Sequence, residues 1–96
     1  MDWVKFDYPH SVGLSEAAAA VATAAQAICS RCRLEMTRKR NRADLSGKVM
    51  RGSITAHKDR ISVSMVLVGQ VTPTRASVEA EIRGALDRQF ASSNGG

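Results

Sequence analysis

The sequence lacks several features that would narrow its function at once. No apolar run reaches the roughly 18 residues that a membrane-spanning helix needs. The opening MDWVKFDYPH has no basic region followed by an apolar run, so it is not typical of a secretory signal. We therefore predict a cytoplasmic protein in which Cys29 and Cys32 stay reduced. With one Trp, one Tyr and two Phe, the chain also has few side chains for stacking on nucleic-acid bases.

Motifs of known reaction types are missing as well. The chain has no phosphate-binding glycine loop, since Gly47 and Gly52 stand alone in a predicted strand. The two histidines, His10 and His57, do not lie in a pattern typical of a catalytic triad. We therefore predict that the protein is not an enzyme and that it holds no cofactor.

Cys29 and Cys32 have the CxxC spacing of redox and zinc sites. A redox pair usually opens a helix, where the helix dipole lowers the thiol pKa, whereas this pair closes a predicted helix. A zinc site would need two further ligands, and the spacing of His10 and His57 matches no zinc finger. We therefore predict two small, partly buried helix residues and no metal site.

The stretch Leu14–Cys32 is rich in alanine and contains neither glycine nor proline, which predicts one long helix. Ser15 is the predicted N-cap, with Glu16 in the first turn. Apolar residues at helical spacing define one buried face. They are Leu14, Ala17, Ala18, Val21, Ala24, Ala25, Ile28 and Cys32. The outer alanines either form a homodimer contact or are exposed methyl groups of a stable helix.

Alternating apolar and polar residues predict four strands. These are Trp3–Tyr8, Arg33–Arg38, Leu45–His57 and Arg60–Val68. The apolar parity changes within Leu45–His57, for which we predict a bulge near Val49 and Met50. A final helix, capped by Thr74 or Ser77, completes the order β-α-β-β-β-α.

The strand at 60–68 indicates how these elements pack. Because Ser62 and Ser64 point away from the core, only one sheet face needs a cover. We therefore predict an α+β two-layer sandwich with a four-stranded, mostly antiparallel sheet and both helices on one face. Residues 1–91 form a single domain, and residues 92–96 are a disordered tail.

The net charge of +5 is concentrated in residues 31–42. This segment holds six of the 14 basic residues and one of the nine acidic residues, so the remainder carries eight of each sign. The six are Arg31, Arg33, Arg38, Lys39, Arg40 and Arg42. Residues 38–42 belong to a predicted hairpin tip, which either binds RNA phosphates or is a solvated end that protects a sheet edge.

A set of residues along most of the chain carries a family resemblance. They are His10 with Leu14–Ala17, Gly52–Thr55, Ile61–Leu67 with Gly69, Val78–Arg83, and Leu86 with Asp87. In these residues the chain resembles the small bacterial family of polyhydroxyalkanoic acid system proteins. That family usually has Trp and Gly in its second strand, where this chain has Arg33–Arg38.

The resemblance implies an association with storage-polyester granules or with their gene region, and it implies no established activity and no catalytic residues. It favours a non-enzymatic accessory protein that binds a protein partner or the granule surface. The alternative is an RNA- or ribosome-binding module that uses the hairpin at 38–42, and the order of elements also looks like that of ribosome-hibernation factors.

Overall fold

The computed structural model describes residues 2–48, 50–68 and 75–94. They form five strands and two helices. In chain order these are β1 (Asp2–Pro9), α1 (Leu14–Cys32), β2 (Glu35–Arg38), β3 (Arg42–Ser46), β4 (Met50–Ala56), β5 (Arg60–Leu67) and α2 (Arg75–Asn94). Within the described residues, no helix is both long and apolar enough to cross a membrane.

The strands form one sheet in the order β1-β5-β4-β3-β2, and all neighbours are antiparallel. The predicted α+β class is confirmed, but the sheet has five strands rather than four. The predicted strand Leu45–His57 is two strands, β3 and β4, that pair with each other. The predicted bulge is therefore wrong. The apolar parity changes because the chain reverses direction between Ser46 and Met50.

Helix α1 has the predicted bounds but not the predicted cap. The N-cap residue is Gly13, at φ 88°, which has no side chain to cap the helix. Because the helix begins at Leu14, Ser15 lies inside it. At the other end, Arg33 adopts the left-handed conformation, at φ 57° and ψ 52°. The N–H of Leu34 then donates to the carbonyl of Cys29 at 3.0 Å, which closes the helix in a Schellman-type turn.

Both helices cover the same face of the sheet, as predicted. Helix α1 contacts β2, β3, β4 and β5, whereas α2 packs against α1 and β1. The core between these layers is apolar, and the described residues include no buried polar or charged side chain. Its largest fully buried side chains are Ile28, Leu45, Ile54, Ile61, Met65, Ile82, Leu86, Val4 and Val21.

Three other predictions concern the burial of Leu14, the cap of α2 and the C-terminal tail. Leu14 was expected on the buried face of α1, but 44% of its surface is exposed. Ser77 lies inside α2, and Thr74 lies outside the described residues. Helix α2 continues to Asn94, so the segment 92–96, for which a disordered tail was predicted, overlaps the helix at 92–94.

Candidate functional site

Both helices lie on one face of the sheet, and no other described element covers the opposite face, here called the open face. Strand register places its side chains in three full rows that run across the strands. The first row is Trp3, Val66, Arg51, Ser46 and Glu35. The second row is Lys5, Ser64, Ser53, Asp44 and Thr37. The third row is Asp7, Ser62, Thr55 and Arg42. Pro9 and Arg60 begin a fourth row, in which the charge of Arg60 is balanced by an ion pair with Asp59 at 3.1 Å.

The apolar part of the open face lies at its β1 edge. Trp3 is the single tryptophan of the chain, and 48% of its surface is exposed. It pairs with Val66 on β5, and the ammonium nitrogen of Lys5 lies 4.8 Å from the centre of its ring. Because an exposed Trp keeps a large apolar surface in contact with water, this edge favours contact with another apolar surface.

The rest of the open face is polar but has no net charge. Its three rows contain three basic residues, Lys5, Arg42 and Arg51, and three acidic residues. The acidic residues are Asp7, Glu35 and Asp44. On the inner strands β4 and β5, the centre of the face holds the hydroxyl groups of Ser53, Thr55, Ser62 and Ser64. The hydroxyl of Ser62 donates a hydrogen bond to Asp7 at 3.1 Å. The arrangement therefore offers hydrogen-bond donors without an excess of positive charge.

The hairpin tip predicted at 38–42 is present. The backbone N–H of Lys39 donates to the carbonyl of Arg42 at 2.8 Å, which closes the turn between β2 and β3. Asp44 neutralises part of the tip, because its carboxylate lies 3.1 Å from Nε of Arg42 and 3.8 Å from Nζ of Lys39. Arg38 and Arg40 are exposed, and neither forms an ion pair within the described part of the chain.

The other two predicted basic residues lie elsewhere. Arg31 reaches α2, where its Nε lies 3.2 Å from the carboxylate of Glu81. Arg33 precedes β2, at the end opposite the tip, and β2 itself is about 13 Å long. The six basic residues therefore form no single patch.

The cysteines and histidines lie at opposite ends of α1, whose 19 residues span about 28 Å. They cannot share one metal ion, and the described residues contain no group of side chains suited to hold one. Burial raises the pKa of the Cys29 thiol. Burial and the nearby Glu81 raise the pKa of the Cys32 thiol, against the opposing effect of Arg31. Both thiols are therefore mainly protonated at neutral pH.

His10 and Tyr8 join β1 to its neighbours. The N–H of Val12 donates to Nδ1 of His10 at 3.3 Å, which leaves Nε2 to donate to the carbonyl of His57 at 2.9 Å. The Tyr8 hydroxyl donates to Asp87 on α2. Burial and this carboxylate raise the pKa of Tyr8 to about 12, so the phenol stays neutral. These contacts explain His10 and Asp87 as residues that hold the fold together.

Sequence reasoning missed the basic residues next to Arg33. Lys48 and Arg51 line one groove with it, beside the end of α1. A signal for Arg51 was present, since it alternates with the apolar Met50 and Gly52 and therefore points to the open face. The approach of Lys48 to Arg33 depends on the turn between β3 and β4, which the sequence pattern did not reveal.

Comparison with known proteins gives a family match and a fold match. The family model described as "Putative polyhydroxyalkanoic acid system protein" matches residues 4–90. The NMR structure of PA4090 from Pseudomonas aeruginosa is similar at a TM-score of 0.55 and 12% identity, covering 100% of this chain and 88% of that one. At this identity the likeness concerns the fold alone. No curated protein matches the chain.

Proposed function

The chain belongs to the family of polyhydroxyalkanoic acid system proteins, and from that membership we propose that it is a non-enzymatic, cytoplasmic accessory protein of polyester granules. It contacts the granule through the open face of its sheet. The observation that carries this proposal is a sheet face that no described helix or strand covers, that has no net charge and that has an exposed Trp at one edge.

The chemistry of a polyester surface matches that face. A polyester presents alkyl groups and ester carbonyl oxygens, which accept hydrogen bonds but donate none. The open face supplies donors from its Ser and Thr hydroxyls, and the exposed Trp3 supplies apolar surface. An uncharged polymer cannot neutralise a buried excess charge, so a face with equal numbers of acidic and basic residues suits it better than a basic face.

The fluorescence of Trp3 tests this contact directly, because the chain has one tryptophan. On addition of polyhydroxyalkanoate particles, we expect a shift of the emission maximum to shorter wavelength and co-sedimentation of the protein. Burial of a large apolar side chain contributes about 1.5–3 kcal/mol. Trp3→Ala should therefore lower the affinity for particles by roughly tenfold or more, measured by sedimentation.

Leu14→Ala is the matched control, since Leu14 is the other exposed large apolar residue among those described, and it lies on α1 away from the open face. It should leave binding unchanged. In polyester-accumulating cells, a fluorescent fusion of the natural chain should decorate granules. A diffuse fusion, or equal effects of the two substitutions, would contradict the proposed contact.

RNA binding through the hairpin tip is the second candidate, favoured by the exposed guanidinium groups of Arg38 and Arg40, which form no ion pair with any described residue. Replacing Arg38, Lys39, Arg40 and Arg42 with Ser should abolish a salt-sensitive RNA shift in gel electrophoresis. Arg38→Ser with Arg40→Ser should reduce the salt slope by about 1.4, because each lost contact with a single-stranded phosphate removes about 0.7. If the natural chain shifts no RNA at low salt, this candidate fails.

A further inference from the structure

We infer that a groove beside the end of α1 binds a phosphorylated small molecule. This phosphate groove has a volume of about 690 Å³ and lies between the turn that closes α1 and the turn that joins β3 to β4. Its lining includes Cys32, Arg33, Glu35, Ser46, Lys48 and Arg51. It shares Glu35, Ser46 and Arg51 with the first row of the open face but lies at the β2 edge of the sheet, opposite Trp3, on which the proposed polyester contact centres.

The charges in the groove favour an anion. Arg33, Lys48 and Arg51 supply three positive charges, and Glu35 supplies one negative charge. None of the three cations forms an ion pair within the described residues, in contrast to Lys39 and Arg42 at the tip, which share Asp44. Because the Cys32 thiol is protonated, it adds no negative charge. The groove therefore carries two unbalanced positive charges.

The backbone at Arg33 is the second observation that supports a ligand. Arg33 is the one residue other than glycine with positive φ in the described part of the chain. Glycine takes this left-handed conformation without strain, and it is the usual residue at the position that follows a helix. A long cation occupies this position instead, and its side chain lines the groove. The turn accounts for the left-handed conformation, and a binding role of the side chain would account for an Arg at a position where Gly costs less.

The donors also indicate the class of ligand. Two guanidinium groups present pairs of N–H donors that match the spacing of phosphate oxygens. A phosphate monoester or diphosphate carries about the charge that the groove leaves unbalanced. The volume lies within the range of small-molecule sites, about 300–1,000 Å³, which leaves room for an organic group beside the phosphate.

Pyrophosphate is a suitable probe, followed by amide chemical shifts of the full chain in a two-dimensional NMR titration at constant ionic strength. We expect saturable shifts of the backbone amides of Arg33, Ser46, Lys48 and Arg51. Acetate at the same concentration should bind at least tenfold more weakly, because a monocarboxylate balances only one charge. Equal binding of acetate would overturn the assignment to phosphate.

Arg33→Gly separates a binding role from a structural one. It should weaken pyrophosphate binding at least tenfold while the Tm stays the same or rises, since glycine relieves the left-handed backbone. Lys48→Ser should weaken binding similarly. The control Arg40→Gly removes the same charge at the hairpin tip and should change the affinity less than twofold. Shifts centred on residues 38–42, or unchanged affinity in Arg33→Gly, would overturn the site.

Discussion

Gly52→Ala is expected to destabilise the protein by about 3 kcal/mol, among the larger effects of a single substitution. Gly52 lies in β4 directly opposite Met65 of β5, on the face that packs against α1. A methyl group there would lie 2.6 Å from Cα of Met65 and 2.8 Å from its sulfur, and it would also clash with the carbonyl oxygen of Ser64. Two of these atoms belong to the backbone of the central strand β5. The clash can therefore be relieved only if β4 and β5 move apart.

Urea unfolding measures this effect, with Gly84→Ala as the control. Gly84 lies in the middle of α2, and an added methyl group there meets no atom within 4 Å. The control should therefore stabilise the protein by roughly 0.5–1 kcal/mol, since alanine favours the helix. If both variants unfold at the same urea concentration as the natural chain, the close approach of β4 and β5 is wrong.

Ile28→Ala is expected to cost about 3 kcal/mol of stability, within the range observed for deletion of a buried side chain to alanine. Ile28 on α1 is fully buried and lines the same small cavity as Ile82 of α2. The ion pair between Arg31 and Glu81 joins the two helices beside it. A domain of 96 residues has a total stability of about 5–14 kcal/mol, so this loss is a large share.

A double-mutant cycle extends this prediction to the packing of α1 against α2. Because Ile28 and Ile82 face one cavity, the effects of Ile28→Ala and Ile82→Ala should differ from additivity by at least about 0.5 kcal/mol. Leu14→Ala, at an exposed position of α1, should change stability by less than about 0.5 kcal/mol. Strict additivity of the two Ile substitutions would contradict a shared helix layer.

Much of the fold could be predicted because its signals are local. The bounds of α1 follow from an alanine-rich run between Gly13 and Arg33, and the core-facing side of β5 follows from the alternation of apolar and polar residues over 61–65. The polar Ser62 and Ser64 then assign both helices to one face. The residues that carry the family resemblance include positions that the fold itself requires. Gly52 allows β4 and β5 to pack closely, and His10 forms a hydrogen bond to the carbonyl of His57.

The errors concern features that depend on distant partners. A bulge and a short turn produce the same change of apolar parity in a sequence. The pairing of Leu45 with Gly52, which only the structure shows, identifies this one as a turn. The basic segment looked continuous because the sequence does not show that Glu81 of α2 neutralises Arg31. The approach of Lys48 and Arg51 to Arg33 likewise depends on the hairpin that was missed.

The order of strands in the sheet also restricts how the chain can assemble during synthesis. β1 leaves the ribosome before the other four strands, yet its one strand neighbour among the described residues is β5, and Pro9 pairs with Arg60, 51 positions later. Because synthesis adds about 5–20 residues per second, β5 is completed roughly 3 to 10 s after β1. The β2–β5 meander needs only short hairpin closures and can form meanwhile. Of the five strands, the first to be synthesised is thus the last to join the sheet, and Val4 and Trp3 stay unprotected until then.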